Sequence, residues 1–383
     1  MINKLIKDKV QTLMPELKEI SNWMYDHPEL GDEEYQIYDK LVHRLIAEGF
    51  DVEEQYLDIP TCFRATYDSG KPGRTVAYMS EYDALPAIGH GCGHNLICVA
   101  GLGSAFATKE LIDKVGGKVV LLGTPAEENN GAKVDMAEKG TFDDIDVAIM
   151  THPGDQNYAT VGSLAMLAIE FTFIGKTAHA AACPEKGINA LDAVINTFNN
   201  LNAFREHMPS DARVHGIITE GGVAANVVPE RAVARFYVRA NEKETVEYLK
   251  TRLINCAKGA SLGAGTEMSI CYYEKPYDNF RSNMQLSNIY FNNAKCFGID
   301  DIKLERERAG SLDAGNVSHV VPTIHSIFKI SEAEVVSHTR EFASATQTEF
   351  AFENLERTIC TMVKTGYDIL ESEVNLEQIK DCK

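Results

Sequence analysis

The chain has 383 residues, 44% hydrophobic and 24% charged, with a formal net charge of −19 at pH 7. That length exceeds what one hydrophobic core usually organises, so two domains are predicted. The acidic balance excludes a polyanion partner, since nucleic acid is bound by clustered Lys and Arg, and nine cysteines without a CxxC pair make no disulfide framework and suit a reducing cytoplasm.

No stretch reads as a membrane span, and Asp8, Glu16 and Glu19 interrupt any apolar run near the start, so neither a signal peptide nor a membrane partner is expected. Leu5, Ile6, Val10, Leu13 and Met14, then Leu17, Ile20, Trp23 and Met24, recur at helical spacing, with Pro15 marking a break or the first turn of a second helix. Tyr38, Leu41, Val42, Leu45 and Ile46 repeat the pattern and stop at Gly49.

Residues 75–80 form a short apolar run that leads into a loop from Glu81 to His94, followed by a helical run over about 97–112. Residues 118–123 (KVVLLG) read as a buried strand that ends at Pro125, Ala126, Glu127 and Glu128; residues 146–150 (DVAIM) read as a third, followed by His152 and Pro153. Strands alternating with helices predict a parallel sheet, and ligands of open α/β sheets bind beyond the C-terminal ends of such strands.

From Ser163 the texture changes. Alternation at Met166, Ala168, Glu170, Thr172 and Ile174 predicts an antiparallel strand, and the order that follows is helix 188–207, strands 214–219 and 232–239, helix 245–259 and strand 267–273. This β-α-β-β-α-β order marks an inserted α+β domain at 165–276, within a discontinuous domain of 1–164 and 277–383. A helix at 286–297, a turn-prone loop GSLDAGN, a strand at 324–330, His338 and a helix at 346–370 complete the chain.

Three loop ends carry chemistry. In HGCGHN, a thiolate at Cys92 and an imidazole at His94 can reach one cation, and the glycines around them permit the tight turn. Glu127 and Glu128 are adjacent, so in a turn they face different ways and can divide labour between a cation and a water. Alone, the pair reads as well as an acidic helix start. The convergence of Cys92, His94, Glu128 and His152 after three successive strands favours a metal site.

These motifs, with KTAHAAACPEKG, GGVAANVVPERA and SHTREF later in the chain, resemble the co-catalytic metallopeptidase family of aminoacylases, carboxypeptidase G and small dipeptidases, in order and interval over nearly the whole sequence. Within it, the Cys and His of HGCGHN and the run GSLDAGNVSHVVPTIH are similar to the amidohydrolase branch, in the group of p-aminobenzoyl-glutamate and β-alanyl-dipeptide hydrolases. The resemblance implies a zinc-exopeptidase-like α/β domain with a mostly parallel sheet flanked by helices, and a ferredoxin-like inserted lid through which a homodimer forms. It implies two divalent metal ions per chain, Zn²⁺ or Mn²⁺, on Cys92, His94, Glu128, His152 and His338, with Glu127 as general base. His179 corresponds to a histidine that reaches a neighbouring subunit's active site to polarise the scissile carbonyl, or is an ordinary strand-end residue. Asp83 orients a ligand or caps its loop. Asn226, Arg239, Ser311 and Asp313 match positions near substrate, although Arg239 reads equally as a solvated strand charge and the 311–313 segment as a plain turn. Asn95 stands where many relatives carry Asp. The activity implied is hydrolysis of the amide bond of small substrates, dipeptides or N-acyl and N-aroyl amino acids, against the alternatives of an N-acetyl-diamino-acid deacetylase or an inactive relative that binds metal or ligand.

Overall fold

The computed structural model describes residues 1–306, 310–371 and 376–381. They form two compact units: the first comprises 1–162, 280–309 and 313–383, the second 163–279 and 310–312.

The first unit opens with α1 (Ile2–Asp26) and α2 (Tyr35–Ala47), followed by β1 (Asp51–Glu54), β2 (Phe63–Asp68) and β3 (Thr75–Ser80). Then come α3 (His94–Val115), β4 (Lys118–Gly123), α4 (Ala132–Glu138), β5 (Val147–Gly154) and β6 (Tyr158–Val161). The second unit supplies β7 (Ala165–Ile174), α5 (Ala190–Phe204), β8 (Arg213–Glu220), β9 (Arg231–Ala240), α6 (Lys243–Ala264) and β10 (Glu267–Cys271). The first resumes with α7 (Met284–Cys296), β11 (Lys303–Arg306), α8 (Ala314–Ser318), β12 (Thr323–Lys329), α9 (Arg340–Ala345), α10 (Glu349–Leu370) and α11 (Leu376–Asp381).

The first unit is a helix-flanked sheet in the order β1-β2-β4-β3-β5-β12-β6-β11. Its centre, β4, β3, β5 and β12, is parallel, and β3 is buried along its whole length. Such strands are covered on both faces and read as continuous apolar runs, which is how their sequences look. The strands not expected from sequence lie toward the edges. β1 and β2 add an antiparallel ribbon at one side and β6 with β11 a parallel pair at the other; β1 (DVEE) has no apolar period to betray it.

Two expectations are corrected. Pro15 does not divide the first helix: α1 runs 25 residues through it. Proline removes the bond to the carbonyl four residues back, here Gln11, and both residues are exposed, on the side open to solvent, while Ile6, Val10, Leu17 and Met24 stay buried on the other face. Second, α3 is long and apolar enough to cross a membrane by length and composition, which the sequence alone did not suggest. Its apolar stretch is 89% buried within the fold; it packs on β3, β4, β5, α1 and α10 and is a core helix.

The second unit is an antiparallel sheet in the order β10-β7-β9-β8, with α5 and α6 on one face, which is the ferredoxin-like arrangement. Alternate residues of β7 (Leu167, Ile169, Phe171, Phe173) and β9 (Ala232, Ala234, Phe236, Val238) fill its core against Val194, Leu201, Leu249 and Leu253 of the helices. The fold is therefore α/β in its larger unit and α+β in its smaller one.

Candidate metal centre

The candidate residues of the first unit gather at the C-terminal edge of its parallel strands. Beyond β3 lie Glu81 and Asp83, and the loop then carries Cys92 to His94, the first residue of α3. Gly93, with φ +78, caps that helix; a Cβ there would meet Pro153 Cγ at 2.3 Å, so glycine is required for both conformation and space. Glu127 and Glu128 follow β4 in a turn that starts at Ala126 (φ 61). His152 lies on β5, paired with Ile327 of β12, and not after the strand as expected; the strand runs on because β12 gives residues 151–154 a hydrogen-bonding partner. His338 comes from the segment after β12, at φ 65, and its N–H donates to the Gly91 carbonyl.

Cys92 Sγ lies 3.6 Å from His152 Nε2 and 3.4 Å from His338 Nε2, and His338 Nε2 lies 3.5 Å from Glu128 Oε1. Three overlapping sets place one donor atom each within 4.8 Å of one another: Cys92, His94 and His152; Cys92, Glu128 and His338; and His94, Glu127 and Glu128. Two buried atoms in this cluster, His94 Nε2 and Glu128 Oε1, have no hydrogen-bond partner. Buried polar atoms are rarely left so, and a soft thiolate, imidazoles and a carboxylate aimed at one point are the donor set of a divalent cation such as Zn²⁺. The residues present fit a metal.

Asp83 orients this cluster. Its Oδ1 accepts from His94 Nδ1 at 2.9 Å, which leaves Nε2 as the free lone pair, and its Oδ2 accepts from Glu128 N at 3.0 Å. Burial alone would lower the His94 pKa, but the Asp83 and Glu81 carboxylates outweigh it and hold it well above the ordinary histidine value, so a cation bound at Nε2 would displace a proton from it. Burial, with His94 beside it, keeps His152 below that value and so neutral, the form that ligates. For Glu127, burial beside Glu81, Asp313 and Glu128 pushes the carboxyl well above the usual carboxylate range.

Lys133 is a member of this region that the sequence does not single out. It lies on α4 with no exposed surface, its Nζ 2.8 Å from Glu81 Oε1 and 2.6 Å from Asp313 Oδ1. Nothing in GAKVDM distinguishes a buried lysine from a solvated one; only the two acidic partners, one far before it in the chain and one far after, do. Asp313 is fully buried, and Lys133 donates to both of its oxygens, to Oδ1 by Nζ and to Oδ2 by the backbone N–H. His90 and His325 are buried, and His325 stacks on His152 at 6.0 Å.

In the second unit His179 is exposed, and its Nδ1 accepts from the N–H groups of Ala181 and Ala182. Asn226 is exposed, and Ser311 is half-buried with its Oγ unpartnered. Arg239 is half-buried: its guanidinium lies 5.6 Å from the Tyr237 ring centroid, Nη2 touches Met166 Sδ, and the buried Nε has no hydrogen-bond partner. His179 and Asn226 lie on adjoining segments, where His179 bridges Val227 and the N–H of Ala180 donates to the Asn226 carbonyl at 3.1 Å.

Residues 161–263 match the family model described as a peptidase dimerisation domain. The chain is 34% identical over 382 residues to the Xaa-Arg dipeptidase of Homo sapiens, covering 94% of this chain and 87% of that protein. It is 33% identical over 321 residues to one of the p-aminobenzoyl-glutamate hydrolase chains of Escherichia coli, covering 78% of this chain and 66% of that one. Among solved structures it is similar to a putative aminohydrolase of methicillin-resistant Staphylococcus aureus, with a TM-score of 0.81 at 21% identity and coverage of 96% and 100%. It is also similar to a dinuclear metal-binding peptidase of the M20 family from Bacillus subtilis, with a TM-score of 0.67 at 17% identity and coverage of 92% and 99%. By its sequence along nearly its full length, and with a fold that agrees, the chain belongs to the M20 peptidase family of hydrolases acting on amide and peptide bonds.

Proposed function

We propose that this protein hydrolyses dipeptides or N-acyl and N-aroyl amino acids bearing a free C-terminal carboxylate, at a centre for two divalent cations, Zn²⁺ or Mn²⁺. The observation that carries the reading is the cluster of Cys92 Sγ with the two unpartnered buried atoms His94 Nε2 and Glu128 Oε1, with the carboxyl of Glu127 beside the last two. Cys92, His94, Glu128, His152 and His338 hold the cations. Bound there, such ions polarise an amide oxygen and make water acidic enough to lose a proton near neutral pH.

The chain's own residues do the rest. Glu127 accepts the proton of the attacking water and returns it to the leaving amine, a transfer for which its raised pKa suits it. His179, with Nδ1 occupied as an acceptor, carries its proton on Nε2 and donates it in a hydrogen bond to the scissile carbonyl of a substrate held by the partner subunit. That role needs a homodimer formed through the second unit, a reading supported by the dimerisation-domain match and by the exposed Ile217 and Ile218 on the sheet's edge strand β8. Arg239, with a buried N–H lacking a partner, receives the substrate carboxylate. A reducing cytoplasm keeps Cys92 available as a thiol.

The test is a panel of dipeptides and N-acyl amino acids, each as free acid and amide, assayed on Zn²⁺- and Mn²⁺-loaded protein. Free acids should be cleaved much faster, and chelation should abolish turnover. Equal rates on acid and amide, or cleavage of long unfolded polypeptides, refute the substrate assignment.

A further inference from the structure

The turn that presents Glu127 begins with a conformational oddity. Ala126 has φ 61, the left-handed region that residues with a Cβ avoid. A non-glycine residue stays there only where its surroundings hold it. The N–H of Ala126 donates to Glu34 Oε1 at 2.8 Å, and its carbonyl accepts from Gly131 N at 2.7 Å. Two residues on, the N–H of Glu128 donates to Asp83 Oδ2. The backbone on either side of Glu127 is therefore gripped by a buried carboxylate, one just before α2 and one after β3.

Glu34 has no evident reason to be there otherwise. Its side chain caps nothing in the helix it precedes; that task falls to Glu29, whose carboxylate accepts from the N–H groups of Gln36 and Ile37. It has no exposed surface, and its second oxygen accepts from Thr61 Oγ1 at 2.9 Å, while Tyr82 donates to the Thr61 carbonyl. Burial beside Asp83 pushes its carboxyl up to about 7, so the group stands in this position at an electrostatic cost. An apolar side chain would satisfy the packing without that cost.

We propose that Glu34 is a positioning residue for the catalytic base: by accepting from Ala126 N it fixes the left-handed turn that aims Glu127 at the attacking water. The inference rests on the reading of Glu127 as the base. Its reach is short, because a carboxylate one methylene nearer its own backbone loses the bond to Ala126, while an amide of the same length keeps an acceptor oxygen for it.

Steady-state kinetics and metal content are measured on Glu34→Ala, Glu34→Asp, Glu34→Gln and Glu127→Gln. Misaiming a catalytic group costs on the order of 10–100-fold in turnover, so Glu34→Ala and Glu34→Asp should lose that much kcat with KM within about threefold and metal content unchanged. Glu34→Gln should recover kcat to within about threefold of the parent. If Glu34→Ala fails to fold, Glu34→Asp, which keeps charge and polarity, carries the comparison with Glu34→Gln alone. Unchanged kcat in Glu34→Asp, or losses that follow metal content, overturn the proposal. Should Glu127→Gln itself remain active, the assignment of the base has failed instead, and the two failures are thereby told apart.

Discussion

Replacing Lys133 by methionine tests the account of the buried charges most directly. The ammonium is shared by Glu81 and Asp313 at 2.8 and 2.6 Å, all three side chains being 2% exposed or less. Methionine matches the stem but leaves two carboxylates in the interior without their cation, and removing one partner of a buried ion pair costs about 3–5 kcal/mol. Against the roughly 5–15 kcal/mol that stabilises a folded domain, that is a large fraction. The loss has a definite pH dependence. Without Lys133 the folded-state pKa values of Glu81 and Asp313 rise above their unfolded values, so the penalty is full above both folded values and fades as pH falls and the carboxyls take up protons. Asp313 starts from about 6 even with the lysine in place, since burial raises it against the pull of Lys133. Urea unfolding can be followed by the fluorescence of Trp23, the chain's one tryptophan, which lies on α1 and reports on the first unit. We expect a deficit of about 3–5 kcal/mol at pH 8 that narrows toward pH 5.5. A deficit under about 1 kcal/mol, or one that widens on acidification, refutes the reasoning.

Glu127→Gln should retain metal and lose on the order of 10²–10⁴ in kcat; survival of turnover with loss of metal, read by elemental analysis, would mean that Glu127 and Glu128 have exchanged roles. Asp83→Asn keeps the shape but weakens the hold on His94 Nδ1, and competition with a chelator should show metal affinity reduced about 10–100-fold. An unchanged affinity would reduce Asp83 to a loop cap.

The sequence reveals this fold best where a physical period is strong. β3 and β4 end where their apolar runs end, and the switch from continuous to alternating burial along β7 marks it as part of a different kind of sheet. Weak periods hide the rest: β1 and β11 are short and charged, and the extension of β5 through His152 depends on a partner strand 175 residues away. The site shows the same division. Cys92, His94, Glu127, Glu128 and His152 stand out because each falls at or just beyond the end of an apolar strand run. Lys133 and Glu34 do not, because a buried charge looks like a surface charge until its partner is known. Asp313 is visible as part of a distinctive loop, yet its direction is set by Lys133, which the loop does not contain.

The place of β12 in the larger sheet has a consequence for how the molecule is made. This strand, near the end of the chain, lies between β5 and β6, which leave the ribosome long before it. Cys92 and His338 are separated by 246 residues, which at 5–20 residues per second is roughly 10–50 s of synthesis. For much of that interval the nascent first unit lacks an inner strand, and the edges of β5 and β6 stand open to any other extended chain. Within that time the second unit, a contiguous stretch apart from three residues, can finish folding. The molecule's most aggregation-prone moment therefore precedes its last strand, and a nonsense truncation before Thr323 leaves a sheet split in two rather than a shorter enzyme.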